Sequence, residues 1–505
     1  MSEAFPPSGP GSLRDYTTRM LRPWSPIVVS NRAPLEPGPR GGFRRGAGGL
    51  VTALMAVAES TEATWVACAR TPEERRRAAD GRPILAEGSG GPITMHLAVP
   101  GAEAYRRHYS VIANPLLWFL QHYLWGLITD PVIDDRIWRA WAGGYVAVNR
   151  LLADRVLAVA AESARPPLIL TQDYQLYLVP KMVREGLPQA TFQQFIHIPW
   201  PAPNYWKVLP KAMRDAIFEG LLGNDVVGFQ SRQDVRNFLM TCEELAGLRV
   251  DHRERAVLHE GRVVWVRSYP ISIDVEALIQ AADAPAVERE LEGLGRRPEK
   301  LIVRVDRTDP SKNVVRGFLA YELLLRRHPE LAGRVRFHAF LQPSRQDIGY
   351  YSSYLEAITG TARRINAQFG RGDWEPIRLE LAENMRRALA LYRDFDVMLV
   401  NPIYDGMNLV AKEGMLVNRR GGALVLSENA GAHEELGEFA FTVNPFDVGT
   451  TADVLWTALQ APEEDRRRRL ESIRHQVRDF DLARWLSLQV RDLRELAPSP
   501  TGPAD

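Results

Sequence analysis

The stretch that decides the fold is Val397-Met-Leu-Val-Asn-Pro-Ile-Tyr-Asp-Gly-Met-Asn-Leu-Val-Ala-Lys-Glu413, where an apolar run enters a turn and then an amphipathic segment. The run 397–400 predicts a buried strand, and the Asn-Pro and Asp-Gly pairs predict a turn before a helix. The same order recurs along the chain, with further buried strands predicted at 26–30, 64–67, 168–171, 192–197, 263–269, 301–305, 335–341 and 423–427. Strands that alternate with helices predict an α/β protein with parallel sheets covered on both faces.

The 505 residues are enough for two large domains. A strand runs into a proline-containing turn at 268–273, which favours a domain boundary there. We therefore predict doubly wound domains at 23–272 and 273–477, with a C-terminal helix at 478–497 that packs back on the first domain. The ends, 1–22 and 498–505, are rich in Pro, Gly and Ser and are expected to be flexible tails.

Composition excludes several classes of protein. Hydrophobic residues make up 45% of the chain, which argues against a mainly disordered protein. Lys+Arg 63 against Asp+Glu 62 gives a net charge of +1, which argues against a nucleic-acid partner held by a strong overall field. No apolar run is long enough to span a bilayer, so no membrane partner is expected. Two cysteines, Cys68 and Cys242, cannot form a disulfide framework and favour a cytoplasmic location.

In open α/β sheets, ligands bind beyond the carboxyl ends of the strands, so the residues that follow each strand are the candidates for chemistry. Arg32 and the glycine-rich loop with Gly48 and Gly49 follow the first strand, and they could bind an anionic oxygen or form a flexible loop beside a surface arginine. Asp173 and His197 follow two later strands and suit sugar hydroxyls. The alternatives are a helix cap for Asp173 and a buried, hydrogen-bonded histidine for His197.

The second half of the chain offers a similar set. Arg307 and Lys312 lie between a strand and a helix, where two cations suit a diphosphate, although a solvated pair is equally open. Arg345 follows the next strand. Asp405 precedes a helix whose free N–H groups could hold sugar hydroxyls, and Glu413, about two helical turns further, could bind a vicinal diol. An ordinary capped helix is the alternative.

Other chemistries have little support in the sequence. It contains no phosphate-binding G-x-x-x-x-G-K-[ST], no H-E-x-x-H and no G-x-S-x-G. The D-x-D pattern of metal-dependent glycosyltransferases occurs at 394–396 and 479–481, but both copies lie in helix-like contexts. We therefore expect no metal site there.

Eight short motifs occur in one order along residues 26–490. They are S-N-R (30–32), G-G-L (48–50), Q-D-Y-Q-L (172–176), H-I-P-W-P (197–201), G-F-Q (228–230), R-x-D-x-S-K (307–312), P-S-R (343–345) and D-G-M-N-L-V-A-K-E (405–413). This set resembles the trehalose-6-phosphate synthase family of retaining glycosyltransferases, most closely its actinobacterial members. The resemblance implies the GT-B fold, two Rossmann-like domains facing across a cleft, the first for the acceptor and the second for the nucleotide sugar. It also implies transfer of glucose from a nucleotide-glucose donor to glucose 6-phosphate with retention, giving α,α-trehalose 6-phosphate.

The resemblance further assigns roles by position. The catalytic residues would be His197, Arg307, Lys312 and Asp405. The donor would be bound by Gly48, Gly49, Gly406, Met407, Asn408, Leu409 and Glu413. The acceptor would be bound by Arg32, Tyr109, Trp118, Asp173 and Arg345. No metal or other cofactor is expected, and the donor is GDP-glucose or UDP-glucose, with a slight preference for GDP.

Three departures from the family pattern concern the acceptor contacts. Gln172 stands where histidine is frequent, Cys68 where tryptophan is usual, and Tyr404 where arginine often precedes the motif aspartate. Two other functions stay open at this point: a relative that couples a nucleotide-cyclitol to an amino-cyclitol phosphate, and a non-catalytic sugar-phosphate sensor. The intact D-G-M-N loop and Arg307/Lys312 pair favour the synthase. A homo-oligomer stays open as an alternative to a monomer. No fused phosphatase is expected, so the product should keep its phosphate.

Overall fold

The computed structural model describes residues 10–38, 43–45, 55, 63–87 and 92–496, and these form two compact units. The first unit contains the described residues up to Pro270 and those from Ala483 onward. The second unit runs from Ile271 to Leu482. The sequence analysis placed these two boundaries after residues 272 and 477. The first unit is thus built from two separate parts of the chain.

The first unit contains one large sheet. Its parallel strands follow the spatial order β12-β9-β8-β7-β1-β4-β6, with β10, β11 and β5 added antiparallel at the edges. The described strands are β1 (Ser25–Ser30), β2 (Leu35–Pro37), β3 (Phe43–Arg45), β4 (Thr64–Cys68), β5 (Ile84–Glu87), β6 (Pro92–Ala98), β7 (Pro167–Gln172), β8 (Thr191–Phe195), β9 (Val226–Phe229), β10 (Arg249–Asp251), β11 (Ala256–His259) and β12 (Arg262–Ser268). The strand order reverses between β1 and β7, which creates a topological switch point where their carboxyl ends diverge.

The helices of the first unit connect these strands. They are α1 (Pro10–Leu21), α2 (Pro72–Arg77), α3 (Ala102–Arg107), α4 (Trp118–Gln121), α5 (Asp135–Ala140), α6 (Ala147–Ala161), α7 (Val179–Arg184), α8 (Pro203–Trp206), α9 (Lys211–Leu222), α10 (Arg232–Glu244) and, from the end of the chain, α20 (Leu482–Leu496). Two π-helical segments, His108–Leu117 and Trp141–Val146, and a 3₁₀ turn, Tyr174–Leu176, complete the connections.

The central strands are buried because they are β-branched on both faces. Ile27, Val28 and Val29 of β1 are at most 1% exposed. Ile27 and Val29 pack with Val66 of β4 and Ile169 of β7 in one core cluster. Burial of each such side chain stabilises the unit by roughly 1.5–3 kcal/mol. This core fixes the positions of the strand ends that carry the candidate residues.

The N-terminal residues differ from the expectation. The sequence analysis treated 1–22 as a flexible tail, but residues 10–21 form α1. Tyr16, Met20 and Leu21 of this helix are buried, and an amphipathic helix is stabilised by burying its apolar face. The Pro, Gly and Ser residues before the helix dominated the composition of the segment and concealed this face.

The second unit is a six-stranded parallel sheet of spatial order β15-β14-β13-β16-β17-β18. Its strands are β13 (Lys300–Arg307), β14 (Val335–Gln342), β15 (Ile377–Leu381), β16 (Val397–Val400), β17 (Ala423–Ser427) and β18 (Phe441–Val443). Its helices are α11 (Val275–Ala282), α12 (Pro285–Glu292), α13 (Val314–Arg327), α14 (Gly349–Phe369), α15 (Met385–Arg393), α16 (Val410–Val417), α17 (His433–Leu436), α18 (Val448–Gln460) and α19 (Glu463–Asp479), with 3₁₀ turns at Pro310–Lys312 and Pro329–Leu331. The switch point of this sheet lies between β13 and β16.

All nine strands predicted from the sequence are present, with ends shifted by at most two residues. Both units are doubly wound α/β structures, as predicted. Within the described residues, every helix is too short or too polar to span a lipid bilayer.

Candidate active site

The first unit brings three predicted site residues to its switch point. Arg32 follows β1, Asp173 follows β7 and His197 lies just beyond β8, and these three strands are neighbours in the sheet. Their carboxyl ends therefore lie side by side. This is the position at which open α/β sheets bind ligands.

Asp173 has a backbone conformation that non-glycine residues rarely adopt, with φ at +71°. Its N–H donates to the carbonyl of Phe195 over 2.7 Å, and its Oδ1 accepts from the N–H of His197 over 3.2 Å. The side chain makes no capping bond to the 3₁₀ turn that follows, so the helix-cap interpretation is wrong. Strained residues of this kind cluster at ligand sites, and the contact ties Asp173 to His197.

His197 has a partner on each ring nitrogen. Nε2 lies 3.1 Å from Oε1 of Gln172, and Nδ1 lies 3.3 Å from the amide nitrogen of Gln230. Burial lowers the pKa of His197 to about 3, so the imidazole is neutral at physiological pH. His197 is therefore hydrogen-bonded on both ring nitrogens, as the alternative interpretation required, but it is only partly buried, and Gln172 is one of the two residues that orient it.

Tyr109 and Trp118 belong to the helical segment that follows α3. Tyr109 is stacked on Tyr105 with ring centroids 5.9 Å apart, and the Tyr105 hydroxyl accepts from the amide of Asn31 over 3.2 Å. Since Asn31 directly follows β1, these contacts link Tyr109 to the strand end that carries Arg32. Trp118 is buried and tilted against Tyr174, beside Asp173, at 5.6 Å.

The Arg32 guanidinium is already paired. Its Nη2 donates to Oε1 of Glu36 over 2.6 Å, and Arg70 approaches the same oxygen at 3.6 Å. The Arg32 side chain is 43% exposed, so this pair is weak and a dianionic phosphate can compete with Glu36 for it.

In the second unit, Lys312 and Asp405 form a pair across the switch point. The Lys312 ammonium donates to Oδ2 of Asp405, and the amide of Asn408 donates to the same oxygen over 3.0 Å. Both charged side chains are less than 15% exposed. The sequence predicted the two residues at separate strand ends, and the structure joins them.

The loop 405–408 has three backbone donors whose N–H groups find no acceptor in the part of the chain that the structure describes. These donors belong to Gly406, Met407 and Asn408. Leu409 caps α16, whose first-turn N–H groups of Lys412 and Glu413 donate to its carbonyl over 2.9 and 2.8 Å. Unpaired N–H groups at a helix start bind anionic or hydroxyl oxygens.

A neighbouring turn holds this loop in place. Gly431 donates to the carbonyl of Asp405 over 3.1 Å, and Ala432 donates to the carbonyl of Met407 over 2.9 Å. A Cβ at position 431 would lie 1.7 Å from the carbonyl oxygen of Gly406, so only glycine fits. The donors of the loop are therefore fixed before any ligand arrives.

Arg307 and Arg345 share one carboxylate. Nη1 of Arg345 donates to Oδ2 of Asp309 over 3.3 Å and to the hydroxyl of Tyr351 over 2.6 Å, while Arg307 approaches the same Asp309 oxygen at 4.0 Å. Arg345 is 10% exposed and Arg307 38%. Arg307 is the more available of the two cations.

Glu413 lies closer to the start of its helix than predicted. Residues 405–409 are not helical and α16 begins at Val410, so Glu413 is in the first turn rather than two helical turns past Asp405. Burial raises the pKa of Glu413, and the Tyr392 hydroxyl, 3.2 Å from Oε2, donates to the carboxylate and opposes that rise.

Two parts of the sequence prediction fall elsewhere. Gly48 and Gly49 lie outside the described residues. The D-x-D segment 394–396 was expected to be helical, but it connects the end of α15 to the start of β16. Arg297 binds both of its carboxylates, at 3.0 and 2.5 Å. It lies at the amino end of the sheet, away from the strand ends of the switch point.

The model of the family described as "Glycosyltransferase family 20" matches residues 25–495 of the chain. The chain belongs to glycosyltransferase family 20. Membership makes it a retaining glycosyltransferase of the family that contains the trehalose-6-phosphate synthases, as the motifs predicted, and its two Rossmann-like units are those of the GT-B fold.

Family 20 relatives match nearly the whole chain. A bifunctional trehalose-6-phosphate synthase/phosphatase of Thermoproteus tenax is 35% identical over 91% of the chain, which spans 62% of that longer protein. A trehalose-6-phosphate synthase of Mycobacterium avium is 33% identical over 94% of this chain and 96% of its own. The crystal structure of a UDP-forming α,α-trehalose-phosphate synthase from Burkholderia xenovorans in complex with glucose 6-phosphate has a TM-score of 0.79 and 28% identity, covering 93% of this chain and 100% of that one.

Sequence reasoning gave no role to several residues that shape this family 20 site, although two of them, Asp309 and Gln230, lie inside its motifs. They are Asp309, Tyr351, Tyr392, Gln230 and Arg304. Asp309 could have been found, because an aspartate two residues before Ser311 commonly accepts from its N–H, as it does here at 3.0 Å. Tyr392 gave no signal, since its contact with Glu413 joins two helices that the sequence does not pair.

Proposed function

We propose that the chain transfers glucose from a nucleoside-diphosphate glucose to glucose 6-phosphate with retention, giving α,α-trehalose 6-phosphate. The observation that carries this proposal is the loop 405–408, where a carboxylate lies beside Lys312 and three backbone N–H groups have no acceptor among the described residues. The carboxylate and the N–H groups can hydrogen-bond the hydroxyls of a sugar, and Lys312 can bind the negative charge of a diphosphate. The relatives are named trehalose-6-phosphate synthases, which supports glucose 6-phosphate as the acceptor. The Burkholderia enzyme is named as UDP-forming, which supports UDP-glucose as the donor.

The proposed donor site lies in the second unit. Asp405 and the N–H groups of Gly406, Met407 and Asn408 hold the glucose hydroxyls. Arg307 and Lys312 neutralise the leaving diphosphate. Arg307 is the more exposed of the two, and Lys312 is held more rigidly by its pair with Asp405. Glu413 takes the ribose hydroxyls. Charge stabilisation of this kind at a leaving group lowers the barrier most when the donors are preorganised.

The proposed acceptor residues lie in both units. Arg32, Tyr109, Trp118 and Asp173 belong to the first and Arg345 to the second. The paired state of Arg32 with Glu36 and of Arg345 with Asp309 means that phosphate binding exchanges one anion for another. We propose that this exchange makes free glucose a poor acceptor, because it cannot replace the carboxylates.

The proposed chemistry needs no covalent enzyme–sugar intermediate. The acceptor hydroxyl attacks on the face from which the diphosphate leaves, and the departing phosphate oxygen takes its proton, which retains the anomeric configuration. The neutral His197, fixed by Gln172 and Gln230, contributes by position rather than as a proton donor. Cations of the protein, rather than a metal, carry the diphosphate charge in this proposal.

The test incubates the purified protein with UDP-glucose or GDP-glucose, and with glucose 6-phosphate or free glucose. We expect trehalose 6-phosphate with one or both nucleotides and at least ~100-fold lower turnover with free glucose, since a lost charged contact of roughly 3 kcal/mol gives that factor. Arg345→Ala should impair glucose 6-phosphate use while nucleotide binding persists. Equal turnover of glucose and its phosphate, or no trehalose 6-phosphate with either nucleotide sugar, would contradict the proposal.

A further inference from the structure

Arg304 is a fully buried cation in the middle of β13, under the loop that carries Lys312. It is 0% exposed, which is rare for arginine. Its Nε donates to Oδ2 of Asp306 over 2.9 Å, its Nη2 donates to the carbonyl of Lys312, and its Nη1 lies 3.5 Å from the carbonyl of Asn313. One guanidinium therefore contacts two successive carbonyls of the loop.

These two carbonyls define the shape of the loop. Asn313 has φ +57°, a left-handed conformation, and separates the 3₁₀ turn 310–312 from α13. Its side chain donates to the carbonyls of Asn401 over 3.0 Å and Pro445 over 2.7 Å. With the Asn313 side chain held on one side and its backbone contacted by Arg304 on the other, the direction of Lys312 is fixed.

The neighbouring helix leaves room for the guanidinium. A Cβ on Gly317 of α13 would lie 2.6 Å from Nη1 of Arg304. Glycine inside a helix costs about 1 kcal/mol relative to alanine, and burial of a charge costs several kcal/mol more. Apolar side chains at both 304 and 306 would avoid the cost of burying the charged pair, so stability alone does not account for the arginine.

We propose that Arg304 is a positioning residue for the reaction, which holds the backbone of Lys312 and Asn313 so that the Lys312 ammonium meets the diphosphate. The inference rests on the proposed function, in which Lys312 binds that diphosphate. Because Asp306 pairs with Arg304 at 2.9 Å, the two carry little net charge together, and Arg304 acts through geometry.

The first unit offers a matched control. Arg184 is also a largely buried arginine that binds backbone carbonyls, those of Gly223, Pro188 and Ala190 at 2.9–3.0 Å, and one carboxylate, Asp225, at 2.8 Å. It lies at the amino end of its sheet, next to the start of β8. Arg184→Met therefore measures the cost of losing such a network away from the site.

The experiment compares wild type, Arg304→Met, Arg304→Lys and Arg184→Met. Calorimetry gives the affinities for UDP against UMP and for GDP against GMP, and steady-state assays give kcat and KM. We expect the diphosphate-over-monophosphate preference and kcat to fall at least ~10-fold in Arg304→Met and to be unchanged in Arg184→Met. Arg304→Lys, which keeps the charge but not the fork, should fold and show the same loss.

The outcomes separate the inference from the proposed function. A wild type without any preference for the diphosphate would contradict the proposed clamp, and the inference with it. A wild-type preference that survives in Arg304→Met, or that Arg304→Lys restores in full, would overturn the positioning role alone. If Arg304→Met does not fold, the Arg304→Lys result decides.

Discussion

Arg307→Ala should lower activity by ~100-fold or more while leaving stability almost unchanged. The Arg307 side chain is 38% exposed and lies 4.0 Å from the Asp309 carboxylate, and a partly exposed ion pair of this kind contributes about 1 kcal/mol or less to folding. For a domain of about 200 residues this is a melting-temperature shift of roughly 2–4 °C at most. Lys312 differs, because its buried pair with Asp405 makes removal of the ammonium cost about 3–5 kcal/mol of stability.

The effect on catalysis follows from charge. A guanidinium about 4 Å from a leaving phosphate, in a medium of effective dielectric constant about 20, contributes roughly 4 kcal/mol, of which we take ~3 as specific to the transition state. At 1.36 kcal/mol per decade this lowers kcat/KM by ~100-fold or more.

The assay measures coupled release of nucleoside diphosphate alongside thermal unfolding. The matched control is Arg334→Ala, which removes another arginine of the same unit, 55% exposed and paired with Glu299, at the amino end of β14. Near-normal turnover in Arg307→Ala would refute the clamp, and an equal loss in Arg334→Ala would show that the effect is one of overall charge.

Three further outcomes are expected. Activity should persist in excess EDTA, and a complete loss restored by Mg²⁺ or Mn²⁺ would contradict metal independence. Burial lowers the pKa of His108 to about 3, below its value of about 6.5 in the unfolded chain. The unfolded chain therefore binds the proton first, and the fold loses stability as the pH falls from 6.5 towards 3. His108→Leu should make the melting temperature fall less steeply over that pH range, and an unchanged slope would contradict this. Tyr392→Phe removes the hydroxyl that stabilises the Glu413 carboxylate, so the pKa of Glu413 should rise further. On acidification, the KM for the donor should therefore begin to increase at a higher pH in the variant than in the wild type. Superimposable profiles of donor KM against pH would exclude this role.

The sequence predicts the central strands well because they are buried runs of β-branched residues. It misses strands with weaker signals: β9 is four residues long and includes a glycine, and β18 has three residues. The π-helical segment at His108–Leu117 has no distinct periodicity, so the placement of Tyr109 cannot be read from spacing.

The candidate site divides in the same way. Motifs identify Asp405 and Lys312, because both follow strand ends, but not their pairing, which is set by neighbouring strands that are far apart in sequence. Arg304 did leave a signal: it is the one charged residue in the predicted strand 301–305, and a buried charge has to find partners. One partner, Asp306, lies two residues further along the strand, but the other two are backbone carbonyls, which side-chain patterns do not reveal.

The discontinuous first unit has a consequence for synthesis. The second unit, from Ile271 to Leu482, is complete as soon as its own residues have been made, whereas the first unit lacks α20 until the ribosome has added the last helix. Until then Phe195 lacks the edge-on contact of Trp485, and Tyr269 lacks its 2.9 Å bond to Asp492. The nascent first unit therefore exposes an apolar face that a holding chaperone can bind. Although most of this unit is synthesised first, it is the last of the two to complete its fold.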